Sequence, residues 1–81
     1  MDDYRHIFET DLSELEKLSQ GFRWAIDQMI RYSEAELEVQ RALGDQQELV
    51  KTQIKISTLK FAQRVFMDNY LMATGRKAWN E

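Results

Sequence analysis

The sequence predicts an all-α fold on three observations. No proline occurs in 81 residues, so nothing removes a backbone donor or jams a helical turn. Leu, Glu, Gln, Lys, Arg, Met and Ala, the residues that lose least on entering a helix, make up about half of the chain. Apolar residues also recur at spacings of three and four on both sides of Leu43-Gly44-Asp45. Together these imply a long αα-hairpin with a short N-terminal helical segment, completed by other chains. The alternative is a compact three-helix bundle in which residues 3–20 fold back over the hairpin.

Residues 1–11 form the short N-terminal segment, with Tyr4, Ile7 and Phe8 apolar and Asp11 or Ser13 placed to cap the helix after it. The first long helix spans 12–43. Leu12, Leu15, Leu18, Phe22, Ala25, Ile26, Met29, Ile30, Leu37 and Leu43 draw one stripe along it, and Glu14, Asp27, Arg31, Glu34 and Glu38 occupy the other side. Arg23 with Asp27 and Asp27 with Arg31 are opposite charges one turn apart, worth roughly 0.2–0.5 kcal/mol each at a surface. Trp24 falls on the polar side, which marks a contact there. Gly21 costs roughly 1 kcal/mol relative to Ala inside a helix and is expected to mark a bend.

Gly44 suits the left-handed residue that ends a helix, and Asp45 suits the N-cap of the next. Glu48 follows Asp45 by three residues, the spacing of a capping box in which each side chain serves the other's backbone N–H. The second helix spans 46–74 and ends at Gly75, leaving 75–81 as a tail that frays or extends.

At 100° per residue the second helix carries two stripes. Val50, Ile54, Phe61, Val65, Met72 and Trp79 form one, and Ile56, Leu59, Phe66 and Tyr70 the other, with Leu49, Met67 and Leu71 beginning to fill the gap. One partner helix covers an arc of roughly 100–140°, less than half of that spread. One stripe is therefore expected to lie between chains.

Composition sets the outer limits. A chain of 81 residues without Cys is a single domain with no disulfide, thiolate metal site or cysteine nucleophile. Such a small core leans on idealised helices or on partners. The net charge is −3, divided as −5 over residues 1–43 and +2 over 44–81, so the two arms attract. The start Met1-Asp2-Asp3-Tyr4-Arg5-His6 is unlike a secretory leader, which predicts a cytoplasmic chain as synthesised. The longest apolar run, Tyr70-Leu71-Met72-Ala73, is far short of the roughly 18 residues of a membrane span.

Catalytic inventories are thin. His6 is the single histidine; Asp2, Asp3 and Glu9 surround it, but a terminal turn does not hold three or four ligands rigidly, so no metal is expected. Ser13, Ser19, Ser33 and Ser57 have no base apart from His6. Gly21, Gly44 and Gly75 are isolated and build no phosphate loop. Glu34 and Glu38 are one turn apart on a polar helix face, the pattern of a solvated surface more than of an acid/base pair. Lys51, Lys55, Lys60, Arg64, Arg76 and Lys77 interleave with Phe61, Phe66 and Trp79, a pattern nucleic-acid binding uses, but a pI near 5.1 opposes that partner.

One further pattern lies in Lys55-Ile56-Ser57, Asn69-Tyr70-Leu71 and Ala78-Trp79-Asn80-Glu81. A long amphipathic helix, a Gly turn and an apolar C-terminal helix with these elements resembles the axial subunits of bacterial export machines, the flagellar rod-junction proteins and the rod and needle subunits of type III secretion. Their final helix carries Lys-x-Ser, then Asn near an apolar residue, then Ala-Tyr-x-Glu. The likeness runs from Phe22 to Glu81. It implies a structural subunit packed helix against helix in a tubular assembly and exported without a cleaved leader.

The sequence thus reads as a non-enzymatic helical interaction or assembly protein, working in a homo-oligomer or a hetero-complex with other proteins. Its expected contact residues are Ile54, Ile56, Leu59, Phe61, Val65, Phe66, Tyr70, Met72 and Trp79. No cofactor, metal, catalytic residue or small-molecule substrate is expected. The alternative is a small cytoplasmic regulator, phage or plasmid encoded, that binds one protein target or nucleic acid through the same helix.

Overall fold

The computed structural model describes residues 4–79. A 3₁₀ helix at Tyr4–Glu9 is followed by two long helices, α1 at Glu14–Leu43 and α2 at Gln46–Thr74, packed against each other as a hairpin. No strand occurs among the described residues. The molecule is long and thin, 47 × 31 × 17 Å, with a radius of gyration of 15.5 Å, where a compact chain of this length would have about 12 Å.

Each helix end has a local cause. The first helix was expected from Leu12 but starts at Glu14: Ser13 is its N-cap, with extended backbone and a side chain accepting from the Glu16 N–H at 3.2 Å. At the far end Gly44 has φ 71°, its N–H donates to Arg41 O, and Asp45 N–H donates to Gln40 O at 3.1 Å. These are the two bonds of a Schellman motif. Asp45 then caps α2 by accepting from the Glu48 N–H at 3.2 Å. Only half of the capping box forms. Gln40 already takes the Asp45 N–H, and the Glu48 carboxylate turns outward to Lys51 at 3.2 Å. Gly75, φ 73°, closes α2 with a single bond from its N–H to Leu71 O.

Helix α1 is continuous through Gly21. A Cβ at that position would stand 2.7 Å from Cζ of Phe8. The missing side chain is the seat for the N-terminal segment, which packs on α1 and not on α2. The fold is therefore a hairpin with one helix flanked on its back, not a three-helix bundle.

Candidate interaction surface

The inner face of the hairpin accounts for one predicted stripe. Ile26, Ile30 and Ser33 of α1 are buried with Thr52, Ile56 and Tyr70 of α2, and Phe22, Leu37, Leu49, Leu59, Phe66 and Met67 are half-buried. Of the predicted contact residues, Ile56, Leu59, Phe66 and Tyr70 are thus occupied within the chain.

Trp79 joins them by a route that periodicity does not show. Gly75 stops the helix before Trp79 can continue the outer stripe, and the tail turns back over the open end of the hairpin. Trp79 is 5% exposed, and its Nε1 donates to Ser19 O at 3.2 Å. The fully buried Ser19 hydroxyl returns a long bond of 3.5 Å to Ala78 O. The rings of Phe22, Phe66 and Trp79 stack in series, at centroid distances of 4.5 and 5.7 Å, and the Arg23 guanidinium caps the stack 5.5 Å above the indole. Residues 76–79 are therefore docked, not frayed. The Ala78-Trp79 pair of the export-machine pattern lies outside the final helix.

Tyr70 secures the same end. Its hydroxyl donates to Oε1 of Glu16, which also lies 3.6 Å from Arg76. The hydrogen bond to Glu16, then burial and the Glu16 charge, hold the phenol above its ordinary pKa, with Arg76 pulling the other way. A polar cleft opens beside these groups, lined by His6, Glu16, Arg23, Trp24, Arg76 and Trp79 among others. Several of its charges are engaged within the chain: Arg76 meets Glu16, and Arg23 lies over Trp79 and 3.9 Å from Asp27. Asp27 does not pair with Arg31; its other oxygen takes the Gln63 amide at 3.0 Å. Among the described residues no group of three metal-ligating side chains occurs, and Asp2 and Asp3 beside His6 lie outside that range.

What remains is the outer face of α2. Val50, Ile54, Phe61, Val65 and Met72 lie on the side of the helix away from α1, and every one is exposed, Phe61 at 67% and Met72 at 85%. Val50, Ile54 and Phe61 line a shallow hollow with Gln53, Ser57 and Thr58. Sequence reasoning missed the exposure of apolar residues on the first long helix as well. Leu18, Met29, Tyr32 and Leu43 of α1 are exposed too, although three of them belong to the stripe that periodicity assigns to the core. The stripe on α1 is wider than one neighbouring helix covers.

No helix among the described residues is long and apolar enough to cross a membrane. Comparison with known protein families, curated proteins and solved structures returns no match to this chain.

Proposed function

We propose that the chain is a non-enzymatic helical interaction and assembly protein whose working surface is the outer face of α2. The observation that carries this reading is the row Val50, Ile54, Phe61, Val65 and Met72, five large apolar side chains exposed along one helix face. A row of exposed large apolar side chains of that length is characteristic of protein contact sites.

The accessible area supports it. The chain exposes 6357 Å², whereas a compact 9.7 kDa monomer exposes about 5,100 Å². The surplus of roughly 1,200 Å² exceeds the ~800 Å² per partner that a standard interface buries. The basic residues beside the row do not redirect the reading to nucleic acid: α2 carries four cations against two acids, too few for a phosphate-tracking surface on a chain of net charge −3. Within this reading, a place in a secretion or flagellar-type apparatus rests on the residue pattern from Phe22 to Glu81 alone.

Size in a native-host extract tests the proposal. The chain should elute in a particle larger than its own 9.7 kDa, and Phe61→Glu should return it to monomer size with helix content kept. Phe66→Glu, on the inner face, should unfold the hairpin instead. Elution of the parent chain at monomer size would overturn the reading.

A further inference from the structure

We infer that a second copy of this chain covers one broad face of the hairpin together with the near edge of the α2 row, the two copies being related by a two-fold axis that runs along the helices. This rests on the interaction reading above and names the partner. Asp27 and Glu36 stand about two and a half turns apart and so mark opposite flanks of α1. Each reaches across to α2, Asp27 to Gln63 at 3.0 Å and Glu36 to Lys55 at 3.4 Å. The hairpin therefore has two broad faces, and their chemistry differs. Glu16, Arg23, Glu34 and Arg41 share the Asp27 face at helical spacing. The Glu36 face carries Leu18, Met29, Tyr32 and Leu43, with Tyr32 75% and Leu43 76% exposed, and Lys55 already neutralises Glu36.

Shape points to a copy of the same face. The two cross-helix bonds set Met29 level with Ala62 and Tyr32 level with Thr58. On this face α1 is a ridge of large side chains, while Thr58, Ala62, Asn69 and Ala73, which follow Lys55 at helical spacing, make α2 a trough. An axis along the helices keeps these levels and exchanges the helices. Met29 then lies over Ala62 of the second copy and Tyr32 over its Thr58, large against small. An axis across the helices would instead set ridge on ridge and leave a gap between the troughs. Thr58 also lines the hollow with Val50, Ile54 and Phe61, so the Tyr32 ring of the second copy enters the α2 row there as the anchor of the contact. Arg64 and Asp68, exposed on the same helix, lie about 120° and 80° round it from Thr58 and stay in water.

The area agrees. The helix from Leu18 to Leu43 is about 38 Å long and two helices are about 20 Å across, so the face amounts to roughly 750 Å², close to the ~800 Å² per partner of a standard interface. Contact between identical patches is isologous and closes at a dimer, here a four-helix bundle.

Purified protein tests this. The parent should sediment as a dimer and nothing larger at tens to hundreds of micromolar. Tyr32→Glu, and Phe61→Glu at the rim of the hollow, should each be monomeric with parental circular dichroism; Met29→Glu stands in for Tyr32→Glu if that variant loses helix content. The chain has no Cys, so single replacements report which residues face each other. Met29→Cys mixed with Ala62→Cys should give a disulfide-linked dimer on mild oxidation, and Met29→Cys alone should not. Met29→Cys that links to itself as readily as to Ala62→Cys means ridge on ridge and overturns the inference. So does a dimer that Tyr32→Glu leaves intact, growth of the parent past a dimer, or a purified parent that is monomeric throughout. In that last case a larger particle in the host extract would leave the interaction reading standing with a different protein as partner.

Discussion

Replacing Trp79 by Ala removes the keystone of the docked tail, and the cost can be worked from the structure. Trp79 is 5% exposed; an indole of about 250 Å² buried to that degree contributes roughly 6 kcal/mol at about 25 cal/mol per Å². Without it the tail keeps only the long Ser19 to Ala78 bond, the small Ala78 side chain and the exposed Arg76–Glu16 pair, too little to hold it docked. Residues 76–79 then recover about 1 kcal/mol each of backbone entropy, and a partly compact unfolded chain lowers the gross figure further. The expected net loss is about 2 kcal/mol, below the roughly 3–5 kcal/mol usual when Trp is truncated inside a fixed element. For a chain of 81 residues that corresponds to roughly a 10 °C drop in Tm. Urea unfolding followed by far-UV circular dichroism measures it. Removal of residues 76–81 should cost the same as Trp79→Ala, since both free the tail as one unit. A Trp79→Ala variant within about 0.5 kcal/mol of the parent would refute the idea of a tail held by its indole, and a truncation far more damaging than the point variant would show that the tail does not act as a single unit.

Two other predictions concern local features. Asp45→Ala removes the acceptor for the Glu48 N–H and should cost about 1 kcal/mol, whereas Glu48→Ala, whose carboxylate only meets Lys51 at the surface, should cost no more than about 0.5 kcal/mol; denaturant midpoints of the pair separate the two. Tyr70 has its phenol pKa raised above 10.0 by the hydrogen bond to Glu16 and by burial, so the folded chain keeps a proton that the unfolded chain releases. That contribution is whole below pH 10 and declines as pH climbs through the folded value. Stability of the parent should therefore fall more steeply above pH 10 than that of Tyr70→Phe, in parallel urea titrations.

The elements were legible in the sequence because their causes are local. Gly44, Asp45 and Gly75 act through backbone conformation and, for Asp45, a bond to a backbone N–H three residues away, and the structure places all three at the helix ends where propensity sets them. Two features were not legible, for one shared reason. Phe8 over Gly21 and Trp79 over Ser19 are contacts between residues distant in sequence, and neither a missing Cβ nor a lone Trp says which distant group meets it. The split of the apolar residues into inner and outer rows was half legible. Periodicity separated Ile56, Leu59, Phe66 and Tyr70 from Ile54, Phe61, Val65 and Met72, but only packing assigns the first set to the inside. On α1, Phe22 and Met29 read as members of one stripe, and they part company because α2 covers an arc too narrow for both.

The docked tail also inverts the usual mechanics of a hairpin. The covalent turn at Gly44 is the weak end, with Val39, Leu43 and Val50 exposed around it, while the free ends carry the ring stack and the Ser19 to Trp79 bond across 60 residues. Closing a loop of that length costs roughly 3–4 kcal/mol, so the turn forms early and the strongest cluster waits until the ends meet. A chain cut between Gly44 and Asp45 should remain a two-fragment complex, and one reopened there with its original termini joined should still fold, because Ile7 and Ala78 already line the same cleft.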